Sequence, residues 1–176
     1  MFVLKKPHGK QGELQTSAIE LRDERKRCEI ISKSIADGML LIDNQQAIQL
    51  INPAAASLLG WYVNEATNLN IKNVMKLVSA KGEALSDAEN PFDIIFKDHV
   101  TVREDTAYVV NRQNKQLTIG LTLSPLMDGP EVTAVAAVFR DVSRERAEEK
   151  QRADFISTAS HEMRTPVAAI EGYLAL

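Results

Sequence analysis

Residues 36–53 read ADGMLLIDNQQAIQLINP, and this stretch decides the fold. Met39–Asp43 is a short apolar run typical of a buried strand, and a polar turn follows it. Ala47–Ile51 then returns as a second strand. Asn52 can cap a helix that begins with Pro53, because proline suits the first helical position, where its missing N–H would have no partner anyway. The stretch therefore predicts a β-hairpin that leads directly into a helix.

The chain after this helix alternates between short helices and strands. Gly60 is a stop signal for the first helix. Two strands, several short helices and three antiparallel strands indicate an α+β domain with a five-stranded antiparallel sheet. Helices are predicted at 70–78 and 91–96, strands at 106–112, 116–126 and 132–139, and turns at 111–115 and 128–130.

Four phrases in this region resemble the PAS domain family. They are Ala36–Asp43, Ile51–Ala55, Leu59–Trp61 and Phe139–Ser143, in that order. The resemblance covers about residues 28–143. It implies a PAS fold, a sensor domain whose sheet is flanked by N-terminal and C-terminal amphipathic or coiled-coil helices.

The composition fits one globular domain with helical extensions. Of 176 residues, 44% are apolar and 26% charged, and the net charge of −3 shows no basic bias toward nucleic acid. The single cysteine, Cys28, excludes an internal disulfide. No apolar run approaches the roughly 18 residues of a membrane span. Lys5, Lys6 and Lys10 fit either the cytoplasmic flank of a membrane helix upstream of Met1 or a disordered chain end.

The sequence at both ends of the chain predicts segments that extend beyond the domain. Residues 1–16 are predicted to be a flexible tail, followed by an N-terminal helix at 17–36. Ser17 and Glu20 can form a capping box at its start. At the other end, residues 144–176 are predicted to be a signalling linker that continues into a longer helix.

The C-terminal helix carries an apolar seam with one histidine opposite to it. The seam residues follow each other at steps of three or four, which is the spacing of an amphipathic or coiled-coil helix. At about 100° per residue, His161 falls opposite the mean direction of the seam, with Glu162 beside it and Thr165 one turn on. The seam consists of Ile156, Ala159, Met163, Val167, Ile170 and Leu174.

The segment 155–166 resembles the H-box of sensor histidine kinases, whose core is His-Glu-(Leu or Met)-Arg-Thr-Pro. The resemblance implies that His161 is the phosphoacceptor and that Glu162 orients the imidazole and takes up its proton. Thr165 would assist removal of the phosphoryl group by a response regulator. Pro166, which removes one backbone donor inside the helix, would allow a bend.

The same resemblance implies an enzyme larger than this chain. Such kinases bind ATP with Mg²⁺ in a separate catalytic domain, and the eight glycines here form no phosphate-cradling loop. We therefore expect a fragment that is inactive alone, cut from a protein that phosphorylates His161 in a phosphorelay.

Asp141 lies where the predicted sheet meets this helix. The resemblance implies that it ties the end of the sheet to the helix by hydrogen bonds or a salt bridge. The local alternative is a helix cap before Arg144. We predict no cofactor in the PAS domain: Cys28 lies outside the place that a flavin-reactive cysteine needs, and His99, the candidate haem ligand, falls in a loop.

The expected partners are a second copy of the chain, in a parallel homodimer through the apolar seams of the predicted helices Ser17–Ser34 and Ser143–Leu176, and a cognate response regulator. A PAS fold also allows a small-molecule ligand inside the sheet, which the sequence does not identify. The chain is expected to be a cytoplasmic region, anchored to the membrane if a helix precedes Met1. Two alternatives remain: a PAS ligand-binding or dimerisation module without kinase chemistry, and a coiled-coil adaptor in which His161 is inert.

Overall fold

The predicted hairpin forms one edge of an antiparallel sheet in the computed structural model, which describes residues 30, 32 and 34–174. Strands β1 (Gly38–Asp43) and β2 (Ile48–Ile51) are its two arms. Asp43 shapes the turn, since its Oδ1 accepts hydrogen bonds from the backbone N–H groups of Gln45 and Ala47, each at 2.9 Å. An acidic side chain that bonds its own turn in this way favours the reversal of the chain.

The remaining elements follow in the predicted order, although several boundaries differ. The predicted N-terminal tail and most of the N-terminal helix lie outside the described residues. The elements after the hairpin are α1 (Pro53–Leu59), α2 (Val63–Ala66), α3 (Ile71–Val74), β3 (Lys76–Val78), α4 (Pro91–Asp98), β4 (Val102–Val110), β5 (Gln116–Asp128), β6 (Glu131–Asp141) and α5 (Ser143–Leu174).

The described sheet has six strands in the order β2-β1-β6-β5-β4-β3, and all neighbours are antiparallel. The prediction of five strands was therefore wrong. The missed strand is β3, which was predicted to be the end of a helix over 70–78. Leu77 is buried opposite Val109 of β4 while Lys76 is exposed, so pairing with the sheet decides the conformation of these three residues.

The first helix begins and ends where the sequence predicts. The Asn52 side chain accepts from the backbone N–H of Ala55 at 2.8 Å, and Pro53 occupies the first turn. Gly60 ends the helix in the left-handed region at φ 73°, which L-residues rarely adopt. This agreement arises because both signals are local and do not depend on the rest of the fold.

The core lies between the inner face of the sheet and the short helices. Alternate residues of β1, β5 and β6 point into it, and α4 contributes two fully buried side chains. Burial of each large apolar side chain stabilises the domain by about 1.5–3 kcal/mol. The largest buried side chains are Phe92, Phe139, Ile42, Ile48, Leu59, Ile71, Met75, Ile95, Ile119 and Leu123.

Candidate functional site at the junction of sheet and long helix

Helix α5 leaves the sheet with a single residue, Val142, between it and strand β6. Val142 is buried, and its backbone N–H donates to the carbonyl of Thr118 on β5 at 2.8 Å. The N–H of Thr118 in turn donates to Oγ of Ser143 at 2.9 Å. Both backbone groups of one β5 residue are thus bound by the start of the helix, which fixes the position of the helix relative to the sheet.

Asp141 occupies the predicted place at this junction. Its Oδ1 accepts a hydrogen bond from the backbone N–H of Ser143 at 2.8 Å. This contact fits both interpretations, because it is a side-chain hydrogen bond between the last residue of β6 and the helix, and because an acidic group here satisfies a free donor at a helix start. Among the described residues no ion pair involves Asp141, and a signalling role for it stays a prediction.

Arg146 forms a second connection between α5 and the sheet. Its Nη2 donates to the backbone carbonyl of Asp105 at 3.4 Å, while its Nη1 lies 2.9 Å from a carboxylate oxygen of Glu149. Asp105 lies in an irregularity of β4 between Glu104 and Ala107, where the pairing with β5 shifts register. Such a bulge leaves backbone groups without a ladder partner. The side chain therefore joins the first turn of the helix to the irregular part of β4.

Sequence reasoning missed the roles of Ser143 and Arg146. Ser143 carried a usable signal, because a serine at a helix start commonly uses its hydroxyl to bond backbone groups. The sequence contains no signal for the role of Arg146, because its partner is a backbone carbonyl 41 residues away that only the β4 bulge makes available.

Asn52 holds the other end of the domain, where the chain enters β1. Its side chain is 1% exposed, and besides capping α1 its Oδ1 accepts from the N–H of Met39 at 2.9 Å. Its Nδ2 donates to the carbonyl of Asp37 at 2.9 Å and to that of Ser32 at 3.1 Å. One buried amide thus binds the preceding segment, the start of β1 and the first helix.

The beginning and the end of the domain lie side by side because β1 pairs with β6. Gly38 is opposite Phe139, and a Cβ at Gly38 would lie 2.6 Å from Cζ of that ring. Real Cβ atoms do not approach other atoms so closely, so a larger residue would displace the ring. The close packing at Gly38 places Asp37, before β1, near the start of α5.

An open groove of about 530 Å³ lies at this junction. Its floor is formed by backbone and side chains of β5 and β6, among them Thr122 and Val138 on the outer face of the sheet. One wall comes from β4, and the other from Asp37 together with Glu145 and Glu149 of α5. The groove therefore borders the chain segments that enter and leave the domain.

The predicted phosphotransfer residues lie on α5, beyond this junction. The helix continues without interruption from Ser143 to Leu174, so its backbone carries His161, Glu162, Thr165 and Pro166. The structure does not describe the side chains of these four residues, and their predicted roles, including the bend at Pro166, stay predictions. At 1.5 Å per residue, His161 is about 27 Å along the helix from Ser143.

The apolar seam of α5 is uncovered where its side chains are described. The seam residues Ile156 and Met163 are 64% and 69% exposed, and Phe155, which lies beside the seam, is 73% exposed. A soluble helix normally buries such a stripe against another element. In the described part of the chain no other element covers it.

The other predicted candidates lie apart from the junction. His99 ends α4 in the left-handed region at φ 56° and its side chain is exposed. Cys28 and His8 lie outside the described residues. Within residues 30, 32 and 34–174, no group of three or more metal-ligating side chains is present, and no helix has the length and apolarity that crossing a bilayer requires.

Comparison with known proteins agrees with this geometry. The chain is 30% identical over 157 residues to the alginate biosynthesis sensor protein KinB of Pseudomonas aeruginosa, covering 89% of the chain and 25% of KinB. It is 21% identical over 162 residues to the sensor protein kinase WalK of Staphylococcus saprophyticus, covering 92% of the chain and 24% of WalK. The chain thus spans about a quarter of the length of these two relatives.

A solved domain of a sensory box sensor histidine kinase/response regulator from Geobacter sulfurreducens has the same fold. It superposes with a TM-score of 0.52 at 21% identity, covering 69% of this chain and 96% of that one. The family profile of the PAS domain matches residues 36–144, which include all six strands and the start of α5. The chain therefore belongs to the PAS domain family, and it is homologous to the sensor protein KinB and the sensor protein kinase WalK.

Proposed function

We propose that this chain is the sensory and dimerisation region of a two-component sensor histidine kinase, in which the PAS domain controls the phosphoacceptor His161 through helix α5. The observation that carries the proposal is the continuous helix from Ser143, bound to β5, to the H-box at 155–166. Homology to two sensor kinases over about nine-tenths of the chain supports it.

The proposed chemistry is a phosphoryl transfer from ATP to the imidazole of His161. A ring nitrogen attacks the γ-phosphorus, the N–P bond forms, the bond from the γ-phosphorus to the bridging oxygen breaks, and ADP leaves. Glu162 accepts the hydrogen bond from the other ring nitrogen, which selects the reactive tautomer and takes up the proton. ATP and Mg²⁺ would be held by a catalytic domain outside this chain.

Thr165 and Pro166 have supporting roles in the proposal. Thr165 lies four residues after His161, one helical turn on, where its hydroxyl can help a response regulator to position water for dephosphorylation. Pro166 removes one backbone hydrogen bond of the helix and so weakens it locally against bending. The cognate response regulator is the partner that receives the phosphoryl group.

The proposal includes a parallel homodimer through α5. Ile156 and Met163 belong to an apolar seam that a second copy would cover by coiled-coil packing. In such a dimer the two His161 residues lie at the same height. A rotation or shift of the two α5 helices at Ser143 would therefore reach both phosphoacceptors together.

The decisive experiment uses the intact protein with its catalytic domain and radiolabelled ATP. We expect acid-labile label on the wild type and none on His161→Gln, because glutamine has no nucleophilic ring nitrogen. Glu162→Gln should lower the rate of labelling without changing the labelled residue. His99→Gln, which alters an exposed histidine on the sheet domain, is the matched control and should label normally.

Acid-labile label on His161→Gln would overturn the proposed phosphoacceptor. Absence of label on every variant, including the wild type in the presence of a competent catalytic domain, would favour a PAS module without kinase chemistry.

A further inference from the structure

The groove at the junction is rich in carboxylates. Two of them are on the first turns of α5, two are on the irregular part of β4, and one precedes β1. The five are Asp37, Glu104, Asp105, Glu145 and Glu149.

Three arginines also border the groove, and one of them is already engaged. Arg146 forms an ion pair with Glu149, whereas Arg103 and Arg140 make no ion pair among the described residues. Of the carboxylates, only Glu149 is paired within the described part of the chain. The groove therefore carries an excess of negative charge on both of its walls.

Ser32, which precedes the domain, lies beside this groove. Nδ2 of Asn52 donates to the carbonyls of both Ser32 and Asp37, so these two carbonyls lie close together. Asp37 itself borders the groove. Ser32 therefore lies near the rim of the groove.

The residues before Ser32 contain a basic run. Residues 22–27 read RDERKR, with four basic and two acidic side chains. Four residues lie between Arg27 and Ser32, so five residue-to-residue steps join them, a span of about 8 Å in a helix or about 17 Å in an extended chain. The basic run is therefore within reach of the groove, and its net charge is opposite to that of the carboxylates.

We propose that the groove is the docking surface for Arg22–Arg27 of the same chain. The basic side chains would pair with Glu145 on α5 and with Glu104 and Asp105 on β4. Because one wall of the groove is α5 itself, docking joins the segment that enters the domain to the helix that leaves it. This inference concerns an internal contact and stands or falls independently of phosphotransfer at His161.

The energetics favour a contact that forms and breaks readily. Each exposed ion pair is weak by itself and weakens further as salt rises. The short stretch of chain up to Ser32 offsets this weakness, because it holds the basic run near the groove at an effective concentration in the millimolar range. We therefore expect docking at low ionic strength and release at high ionic strength.

The test uses Cys28, the only cysteine, which directly follows the basic run. A nitroxide attached to Cys28 of the isotope-labelled 176-residue chain should broaden the amide signals of Thr122, Val138 and Glu145. Signals of Lys97 on α4, which packs on the inner face of the sheet, should be affected much less. Raised salt should restore the broadened signals.

Charge variants separate docking from mere proximity. Glu145→Lys should restore most of the lost signal, and adding Arg25→Glu to it should bring the broadening back. Glu131→Lys, an exposed acid in the β5–β6 hairpin, is the matched control and should leave the pattern unchanged. Broadening that neither salt nor Glu145→Lys alters would overturn the proposal.

A mixed sample identifies which chain supplies the basic run. Isotope-labelled Cys28→Ser protein is combined with unlabelled protein that carries the nitroxide. We expect no broadening at the groove in this sample. Broadening as strong as in the sample whose isotope-labelled chain itself carries the nitroxide would assign the contact to a second copy and refute docking within one chain.

Discussion

The sheet domain and helix α5 are stabilised in opposite ways. In the domain, hydrogen bonds and apolar contacts join residues that are far apart in sequence, such as Asn52 with Asp37 or Gly38 with Phe139. In α5, the described hydrogen bonds to other elements come from the first turn, and the other described side-chain bonds stay within the helix, such as that from Arg144 to Glu148. Its apolar seam is exposed.

This difference separates a part that folds by itself from a part that needs a partner. Long-range burial gives the sheet domain its own stability, whereas a helix without tertiary packing is only marginally stable in water. A change in association is therefore expected to act on α5 and to leave the sheet domain intact. The following predictions test that separation, beginning with the largest effect.

Asn52→Ala should destabilise the sheet domain by about 3 kcal/mol, because it removes a helix cap and leaves partly buried backbone groups at Asp37 and Met39 without the partner that Asn52 supplies. Denaturant unfolding followed by circular dichroism measures the loss. Asn90→Ala is the control, since Asn90 caps α4 with one bond, to the N–H of Phe92 at 3.0 Å. Its cost should be about 1 kcal/mol. Equal costs for the two variants would contradict the role of Asn52.

Ile156→Ser should weaken dimerisation at least tenfold, because each copy loses roughly 1.5–3 kcal/mol of apolar burial in the seam and about 1.4 kcal/mol corresponds to a factor of ten. Sedimentation equilibrium measures the dissociation constant. Lys150→Ser, on the side of α5 opposite the seam, should leave it unchanged. The unfolding midpoint of the sheet should not fall in either variant. A wild type that stays monomeric at tens of micromolar would contradict the proposed homodimer.

Ser143→Ala should cost about 1 kcal/mol, because the N–H of Thr118 loses the Oγ that accepts its hydrogen bond. Amide hydrogen exchange at Thr118 and in the first turn of α5 should accelerate, while exchange in β1 should not. Ser160→Ala, an exposed serine on the same helix, provides the comparison. Unchanged exchange at Thr118 would show that this bond does not hold the helix on the sheet.

Asp43→Asn should have the smallest effect and a defined pH dependence. The hydrogen bond from Gln49, followed by that from the N–H of Ala47, lowers the pKa of Asp43 below its usual value. A carboxyl with a lowered pKa in the folded state adds stability above its unfolded pKa, and this stability disappears as the pH falls through the folded pKa.

The two proteins should therefore differ most near neutral pH. The difference in unfolding free energy should shrink below about pH 4, which is near the unfolded pKa of aspartate. Asp128→Asn, on an exposed residue of β5, is the matched control for the loss of one carboxylate. A stability difference that stays constant with pH would contradict the assignment.

Local signals in the sequence predicted much of the domain correctly. The β1–β2 hairpin, the cap at Asn52 and the stop at Gly60 all depend on residues within a few positions of one another. Local signals did not predict strand β3, because residues 70–78 contain no feature that distinguishes a helix from an edge strand. Pairing of Leu77 with Val109, which lies 32 positions away, decides the outcome.

At the candidate site, the sequence indicated where Asp141 and the H-box residues would lie along the chain. It did not indicate that Thr118 binds the start of α5, because β5 comes beside that point only after the sheet has formed. The Arg146 contact was equally hidden, since it depends on a bulge in β4.

The sequence by itself determined the family, the order of most elements and the identity of the residues proposed for phosphotransfer, because these are carried by short contiguous patterns. Strand β3, the hydrogen bonds that hold α5 to β5 and the groove at the junction of the sheet and α5 became visible only in the tertiary structure. Each of these joins residues that are distant in the chain, and their contacts form only once burial of the core has aligned the strands.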